Sequence, residues 1–382
     1  MEKIIIAIDS FKGSMTSLEA AEAFEKGVKK VYPEAQVVKL SLADGGEGTV
    51  ESLVEGIGGE IIKLEVRDPL MRPVKSFYGI LGDGKTAVIE MAAASGLPLL
   101  APEERNPMDS TTFGTGELIR DAIKKGCREF IVGIGGSATN DAGIGMLGAL
   151  GFRFLDKNGN ELHPAGKNLV EIERIDLSEV LPELDQCSFL VACDVNNPLY
   201  GPKGAAETYS RQKGATEEMV KELDRGLEHF ASVVERELGK KIGNIPGAGA
   251  AGGMGGGFLG FLSCQLKPGI EIVVEQIGLE EMAKDASLVI TGEGRMDFQT
   301  VMGKTPVGVA KVAKKYGIPV IAVAGSLADD AGAVHEYGID AIFSIMNHPI
   351  PLAEAMKKEN AMKFMEKNAE EIMRVVKLSS SL

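Results

Sequence analysis

Residues 3–17 read KIIIAIDSFKGSMTS. The apolar run at the start has no polar alternation, which suits a parallel strand buried on both faces. It stops on Asp9-Ser10-Phe11-Lys12-Gly13-Ser14, and a helix signal follows at once. Thr16-Ser17-Leu18-Glu19 forms a capping box, and Phe24, Val28 and Val31 then recur at helical spacing. A strand feeding a capped helix through a short polar turn is the unit of an α/β fold, and the helix N-terminus is a natural seat for an anion. Lys12 at that tip is therefore a candidate to meet one.

The same design recurs outward from this stretch. "AQVVKLSLADGGEGT" gives a second strand, a Gly-rich acidic turn and the helix "VESLVEG". Near the other end, "ASLVITGEG", "PVIAVAGS" and "AIFSIMN" are strands separated by helices such as "GKTPVGVAKVAKKYG". Together they predict a Rossmann-like, doubly wound parallel sheet. Between them the texture changes. "GEIIKLEVRDP", "PVKSFYGILGDG" and "KTAVIEMAAAS" alternate apolar and polar residues as an antiparallel meander, while "EFIVGIGGSATND" and "SFLVACDVNNP" are buried strands running into loops. The pattern predicts a two-domain α/β protein. Residues 1–58 plus 285–382 form the Rossmann-like domain, and 59–284 form an inserted α/β domain with a mixed sheet. "GAGAAGGMGGG", residues 247–257, is too rich in glycine for a helix interior and reads as a loop.

Over 382 residues the net charge is −14. That balance argues against nucleic acid and anionic membranes as partners, while leaving room for small anionic substrates. The N-terminus lacks the apolar length and small-residue cleavage site of a signal peptide, and four cysteines without CxxC spacing suit a reducing cytoplasm. With four histidines a zinc site is not expected, and His229 reads as a surface residue of its helix.

The candidate chemistry gathers at strand tips, which in a parallel sheet open onto the carboxyl edge where ligands bind. Ser10, Lys12 and Ser14 lie at the first tip, Asp44, Gly45, Gly46 and Glu47 at the second, and Glu293 and Asp297 after "SLVIT", with Lys304 beyond. The inserted domain offers Gly136, Ser137, Thr139, Asn140 and Asp141, then Asp194, Asn196 and Asn197, and the glycines 252 and 253. Gly-rich backbone, lysines and several carboxylates suit phosphoryl transfer around Mg²⁺, with Asp194, Asp297 and Glu293 as metal candidates. A hydroxyl acceptor needs a proton acceptor, and Asp194, directly after "SFLVAC", is the leading candidate for general base or metal ligand; Lys12 and Asp297 complete the catalytic set. Gly303-Lys304-Thr305 is not a Walker A end, because Phe298 stands where the first Gly belongs. "GIGGSA", 133–138, does satisfy G-x-G-x-x-A, with Asp156 at about the distance of a dinucleotide acid, so an NAD(P)-dependent hydroxy-acid dehydrogenase is an open alternative. A non-catalytic sugar-acid sensor is another.

The blocks "DSFKGSMTS", "ADGGEGT", "GGSATNDAG", "ACDVNNPLYGPKGAAETYSRQKGA", "GAGAAGGMG" and "TGEGRMDFQTVMGKTP" in this order resemble the class I, bacterial-type glycerate kinases over essentially the whole chain. The departures are Ala142, where Gly is common, and "YSRQKGA", where "FAPQKGA" is common. The resemblance implies ATP- and Mg²⁺-dependent phosphorylation of D-glycerate to 2-phosphoglycerate, with 3-phosphoglycerate as the alternative product. It implies no nucleic-acid or membrane partner, and leaves a homo-oligomer open. Lys12 would meet the glycerate carboxylate or an ATP phosphate.

Overall fold

The computed structural model describes residues 2–379. In chain order the strands are β1 (Lys3–Ile8), β2 (Gln36–Ser41), β3 (Gly59–Arg67), β4 (Pro73–Leu81), β5 (Thr86–Glu90), β6 (Glu129–Gly133), β7 (Arg153–Leu155), β8 (Arg174–Asp176), β9 (Ser188–Ala192), β10 (Cys264–Lys267), β11 (Leu288–Met296), β12 (Val320–Leu327) and β13 (Ala341–Ser344). They fall into two compact units, Met1–Asp44 with Glu55–Ile57 and Ile270–Leu382, and Gly45–Val54 with Gly58–Gly269. The helices Gly269–Gln276 and Leu279–Ala283 thus go almost wholly with the first unit, so the second junction falls at Gly269–Ile270 and not near residue 284.

The first unit holds a five-stranded, all-parallel sheet in the order β13-β12-β11-β1-β2. From β1 the chain moves outward to β2 and then returns to the other side of β1 with β11. This is the doubly wound, flavodoxin-like order, and its switch point lies between β1 and β11. Ile4 to Ile8 are fully buried, as a strand covered on both faces requires. The helix Ser17–Val31 starts on the expected capping box and buries Phe24, Val28 and Val31. Ser17, within its first turn, donates to the Ile8 carbonyl at 2.6 Å and accepts the Leu42 N–H at 2.8 Å, which fixes the tips of β1 and β2.

The second unit carries a mixed six-stranded sheet, β10-β9-β6-β5-β4-β3. β3, β4 and β5 are the expected meander, and β5, β6, β9 and β10 run parallel. Phe130 stacks on Phe189 at 4.7 Å between ring centroids, and Phe258 closes over Phe189 at 5.7 Å. Phe258 belongs to a helix, Ala250–Phe261, so the loop reading holds for residues 247–249 and is corrected for 250–257. Ala251, Gly252 and Gly253 have positive φ and kink its start. From Met254 onward glycine is used for contact: a Cβ on Gly257 would stand 2.4 Å from the Ala142 carbonyl oxygen, so a helix of ordinary residues could not approach so closely. His229 is half-buried, with Nε2 2.8 Å from the Ile172 carbonyl oxygen, and is not a free surface residue.

Candidate functional site

In the first unit the polar residues gather around Asp9, the neighbour of the expected Ser10 and Lys12. Ile8 pairs with Gly292 across β1 and β11, so Asp9 and Glu293 follow side by side at the switch point. Both are buried. Asp9 accepts the Ser10 N–H at 2.6 Å and the Thr305 hydroxyl at 2.8 Å. Burial, helped by the charge of Asp44, raises its pKa to about 6, against the pull of Thr305, Ser10 and Lys12. Glu293 accepts the Thr300 hydroxyl at 2.6 Å and faces the Lys304 ammonium at 3.6 Å. Its pKa is raised by burial, with Thr300 and Lys304 lowering it and Asp9 and Asp297 adding to the rise. The expected residues Lys12, Asp44, Asp297 and Lys304 therefore all act on the Asp9–Glu293 pair. Lys304 and Thr305, which fail as a Walker A end, reach one carboxylate each.

Other residues in this unit have more local tasks. Asp297 caps the short helix Phe298–Met302, accepting the Gln299 N–H at 2.9 Å, and stands 3.5 Å from the Arg295 guanidinium. Ser10 is half-buried, and Lys12 is exposed and carries little packing. Ser14 Oγ and Thr291 Oγ1 are buried without a hydrogen-bond partner.

In the second unit the glycines Gly45 and Gly46 lie against the ends of β6 and β9. Gly45 has φ +87°, and a Cβ there would stand 2.6 Å from the Ala192 side chain. Its carbonyl oxygen would lie 2.3 Å from a Cβ on Gly133, and Gly46 approaches Gly135. Glu47 is exposed. Glu90, the last residue of β5, receives the Val50 N–H at 2.9 Å and also engages the Gly48 and Thr49 backbone, so a carboxylate sits on the N-terminus of the helix Thr49–Ile57. Burial raises its pKa to about 7, with those backbone bonds opposing.

The loop after β6 presents Gly136 at the surface and then buries Ser137, Thr139, Asn140 and Asp141. Asp141 was expected to face a ligand, yet its carboxylate is taken up inside the protein. It accepts the Thr112 N–H and hydroxyl, each at 2.8 Å, and the Gly143 and Gly145 N–H groups at 3.2 Å. Burial raises its pKa despite these bonds. Gly252 and Gly253 are likewise buried, and a Cβ on Gly252 would lie 2.0 Å from the Thr139 carbonyl oxygen. Both glycines support the 139–142 backbone from behind; they are not an open loop. Lys213 reaches the same loop, donating to Ser137 Oγ at 2.7 Å and to the Thr139 carbonyl at 2.6 Å.

After β9, Asp194 is exposed at the strand tip, and Oδ1 accepts the Gly269 N–H at 3.0 Å. Asn196 is exposed beside it. Asn197 folds its own loop: Nδ2 donates to the Lys203 carbonyl at 2.7 Å and the Tyr209 hydroxyl donates to Oδ1 at 2.7 Å. The dinucleotide fingerprint does not assemble. The helix after "GIGGSA" begins only at Ile144 and runs six residues, and Asp156 closes a surface turn by accepting the Asn158 and Asn160 N–H groups at 2.8 Å.

The candidates Asp9, Glu90 and Lys213 are not singled out by the sequence: Asp9 and Glu90 follow mostly apolar strand stretches, and Lys213 sits inside the block that carries the resemblance. Among the described residues no helix is long and apolar enough to cross a membrane, and no group of three or more His, Cys, Asp or Glu side chains is set to hold a metal by itself.

Two α/β units whose parallel strands end in glycine-rich, acidic and hydroxyl-bearing tips define a protein of the phosphate-handling class, in which fixed donors and carboxylates do the work. The chain belongs to the glycerate kinase family, whose model matches residues 4–377. A glycerate kinase of Bacillus subtilis is 52% identical over 380 residues, covering 100% of this chain and 99% of that protein. The glycerate 2-kinase of Escherichia coli is 51% identical over 355 residues, 93% of each chain. A crystal structure of a Salmonella typhimurium protein assigned provisionally as glycerate kinase 2 superposes with a TM-score of 0.92 at 46% identity, covering 100% of both chains.

Proposed function

We propose that this protein is a glycerate kinase that transfers the γ-phosphoryl group of ATP to D-glycerate, with the 2-hydroxyl as acceptor and 2-phosphoglycerate as product. The observation that carries this reading is the full-length relationship to proteins named glycerate kinase at about half identity, one of them a glycerate 2-kinase. The dinucleotide alternative loses its support with the fingerprint that does not assemble. The sensor reading gives no reason for a buried carboxylate pair among hydroxyls and lysines. Cytoplasmic ATP is the donor such a chain would meet, and its four free cysteines suit that reducing compartment.

The residues divide the work by their chemistry. Mg²⁺ is bound by one or two protein carboxylates together with substrate phosphates, so the lack of a three-residue cluster does not count against it. Asp9 and Glu293 fit that requirement, as adjacent hard-oxygen ligands beside the unpartnered Thr291 hydroxyl. The ion would neutralise charge on the phosphates. Asp297, engaged as a helix cap, is less suited to it. Lys12 and Lys304 supply positive charge at the same tips, and Lys12 would hold an anionic oxygen of substrate or nucleotide. Asp194, with one carboxylate oxygen fixed by Gly269, is the candidate to accept the hydroxyl proton. The test is ADP release measured with ATP, Mg²⁺ and D-glycerate. Release only when all three are present supports the reading, and release that ignores D-glycerate overturns it.

A further inference from the structure

Lys213 is 2% exposed. A buried ammonium group is unfavourable unless acceptors or an anion meet each of its hydrogens. Two of its three N–H groups go to Ser137 Oγ and the Thr139 carbonyl, and no carboxylate of the described residues stands within ion-pair distance. Asp141 is the one charged group that acts on it, from a distance, with its oxygens already bonded to Thr112, Gly143 and Gly145. Because Ser137 Oγ accepts from Lys213, its own hydrogen is left for another acceptor. Thr139 Oγ1 and Asn140 Nδ2 are buried with no partner at all. The Ser210 hydroxyl donates to Asn140 Oδ1 at 3.1 Å, so the amide nitrogen is the end left over. One loop and one lysine thus leave four donors in want of acceptors. A neutral side chain would serve as well to staple the loop, so the charge calls for another explanation.

We propose that Ser137, Thr139, Asn140 and Lys213 form a seat for a ligand oxyanion, either the carboxylate of the hydroxy acid or a phosphate of the nucleotide. The inference rests on the phosphoryl-transfer reading above. Gly135 and Gly136, both exposed, lead from solvent to Ser137. Burial holds Lys213 down at about 7, and a seated anion would raise it again, so the ligand stabilises the charged form.

The test compares wild type, Lys213→Met and Lys213→Arg with each substrate varied in turn. Loss of a charge-assisted contact is expected to raise one KM by about 30-fold or more in Lys213→Met, leaving the other within about threefold, with partial rescue in Lys213→Arg. A rise in the D-glycerate KM identifies the carboxylate, and a rise in the ATP KM identifies a phosphate. A folded Lys213→Met with both KM values unchanged overturns the proposal. A purely structural lysine would lower thermal stability without separating the two. If Lys213→Met does not fold, wild-type crystals soaked with D-glycerate, and separately with a non-hydrolysable ATP analogue, decide the matter. An oxyanion oxygen within about 3 Å of Lys213 Nζ supports the seat, and its absence with both ligands overturns it. Wild-type turnover measured alongside tests the functional reading by itself, so failure of one is not mistaken for failure of the other.

Discussion

The Thr305 hydroxyl donates to the Asp9 carboxylate at 2.8 Å, joining the tip of the first strand to the start of the helix Thr305–Lys314. That bond does not neutralise the charge it touches. Asp9 stays a buried carboxylate with a pKa near 6, an arrangement that weakens the fold above that pH and suits a group meant to meet a cation.

Asp9→Asn separates those two consequences. The folded pKa lies above the ordinary 3.8, so the protonated form is favoured in the fold. Its contribution to stability is complete below pH 4 and is lost as pH rises through about 6. Asparagine keeps an acceptor for the Ser10 N–H, and the Thr305 hydroxyl can turn to accept from the amide. Asp9→Asn is therefore expected to gain about 1–3 kcal/mol at pH 8 and nothing at pH 4. The wild-type kcat/KM is expected to rise with pH through about 6 as Asp9 ionises; in Asp9→Asn it should fall at least about 100-fold and lose that rise. Denaturant unfolding at the two pH values, beside a pH–rate profile, measures both.

Lys12→Ala is expected to leave stability within about 1 kcal/mol, since the side chain is exposed. Turnover should fall about 100-fold if the lysine meets a ligand anion. A near-normal rate would return Lys12 to the status of a solvated turn residue.

Asp194→Asn retains an oxygen for the Gly269 N–H, so melting temperature is expected to stay close to wild type. An amide cannot take the proton of the acceptor hydroxyl, and kcat should fall by about 100-fold or more while ATP binding persists. Isothermal titration with ATP, paired with steady-state rates, distinguishes this from a folding defect.

Gly252→Ala tests the support behind the 139–142 loop. The residue has φ +69°, and the added Cβ would lie 2.0 Å from the Thr139 carbonyl oxygen. Strain and overpacking together are expected to cost about 2–4 kcal/mol, read as a lower denaturant midpoint. An unchanged midpoint would mean that the loop yields freely.

The fold was largely legible because its signals are local. Unbroken apolar runs mark the parallel strands, alternation marks β3 and the first part of β4, and the Thr16–Glu19 box marks a helix start, while β5 is buried along its whole length. The glycine run misled for a physical reason. Propensity disfavours such a helix in isolation, but packing against the Ala142 and Thr139 backbone requires side chains that small. The site was legible at its tips and not in its depth. Lys12 and Asp44 announce themselves in polar turns and Glu293 as an acid between glycines, whereas Lys213 lies 76 residues from Ser137, and only the folded chain brings them together. Asp141 and Asn197 show the converse: ligand-like residues in a ligand-like motif whose hydrogen-bonding capacity the fold itself takes up.

Phosphorus NMR of the protein incubated with ATP, Mg²⁺ and D-glycerate addresses the central claim most directly. The expected result is a new resonance of 2-phosphoglycerate growing in step with ADP, absent with L-glycerate or without enzyme. No phosphorylated glycerate at any time, with NADH instead oxidised in the presence of hydroxypyruvate, would contradict it.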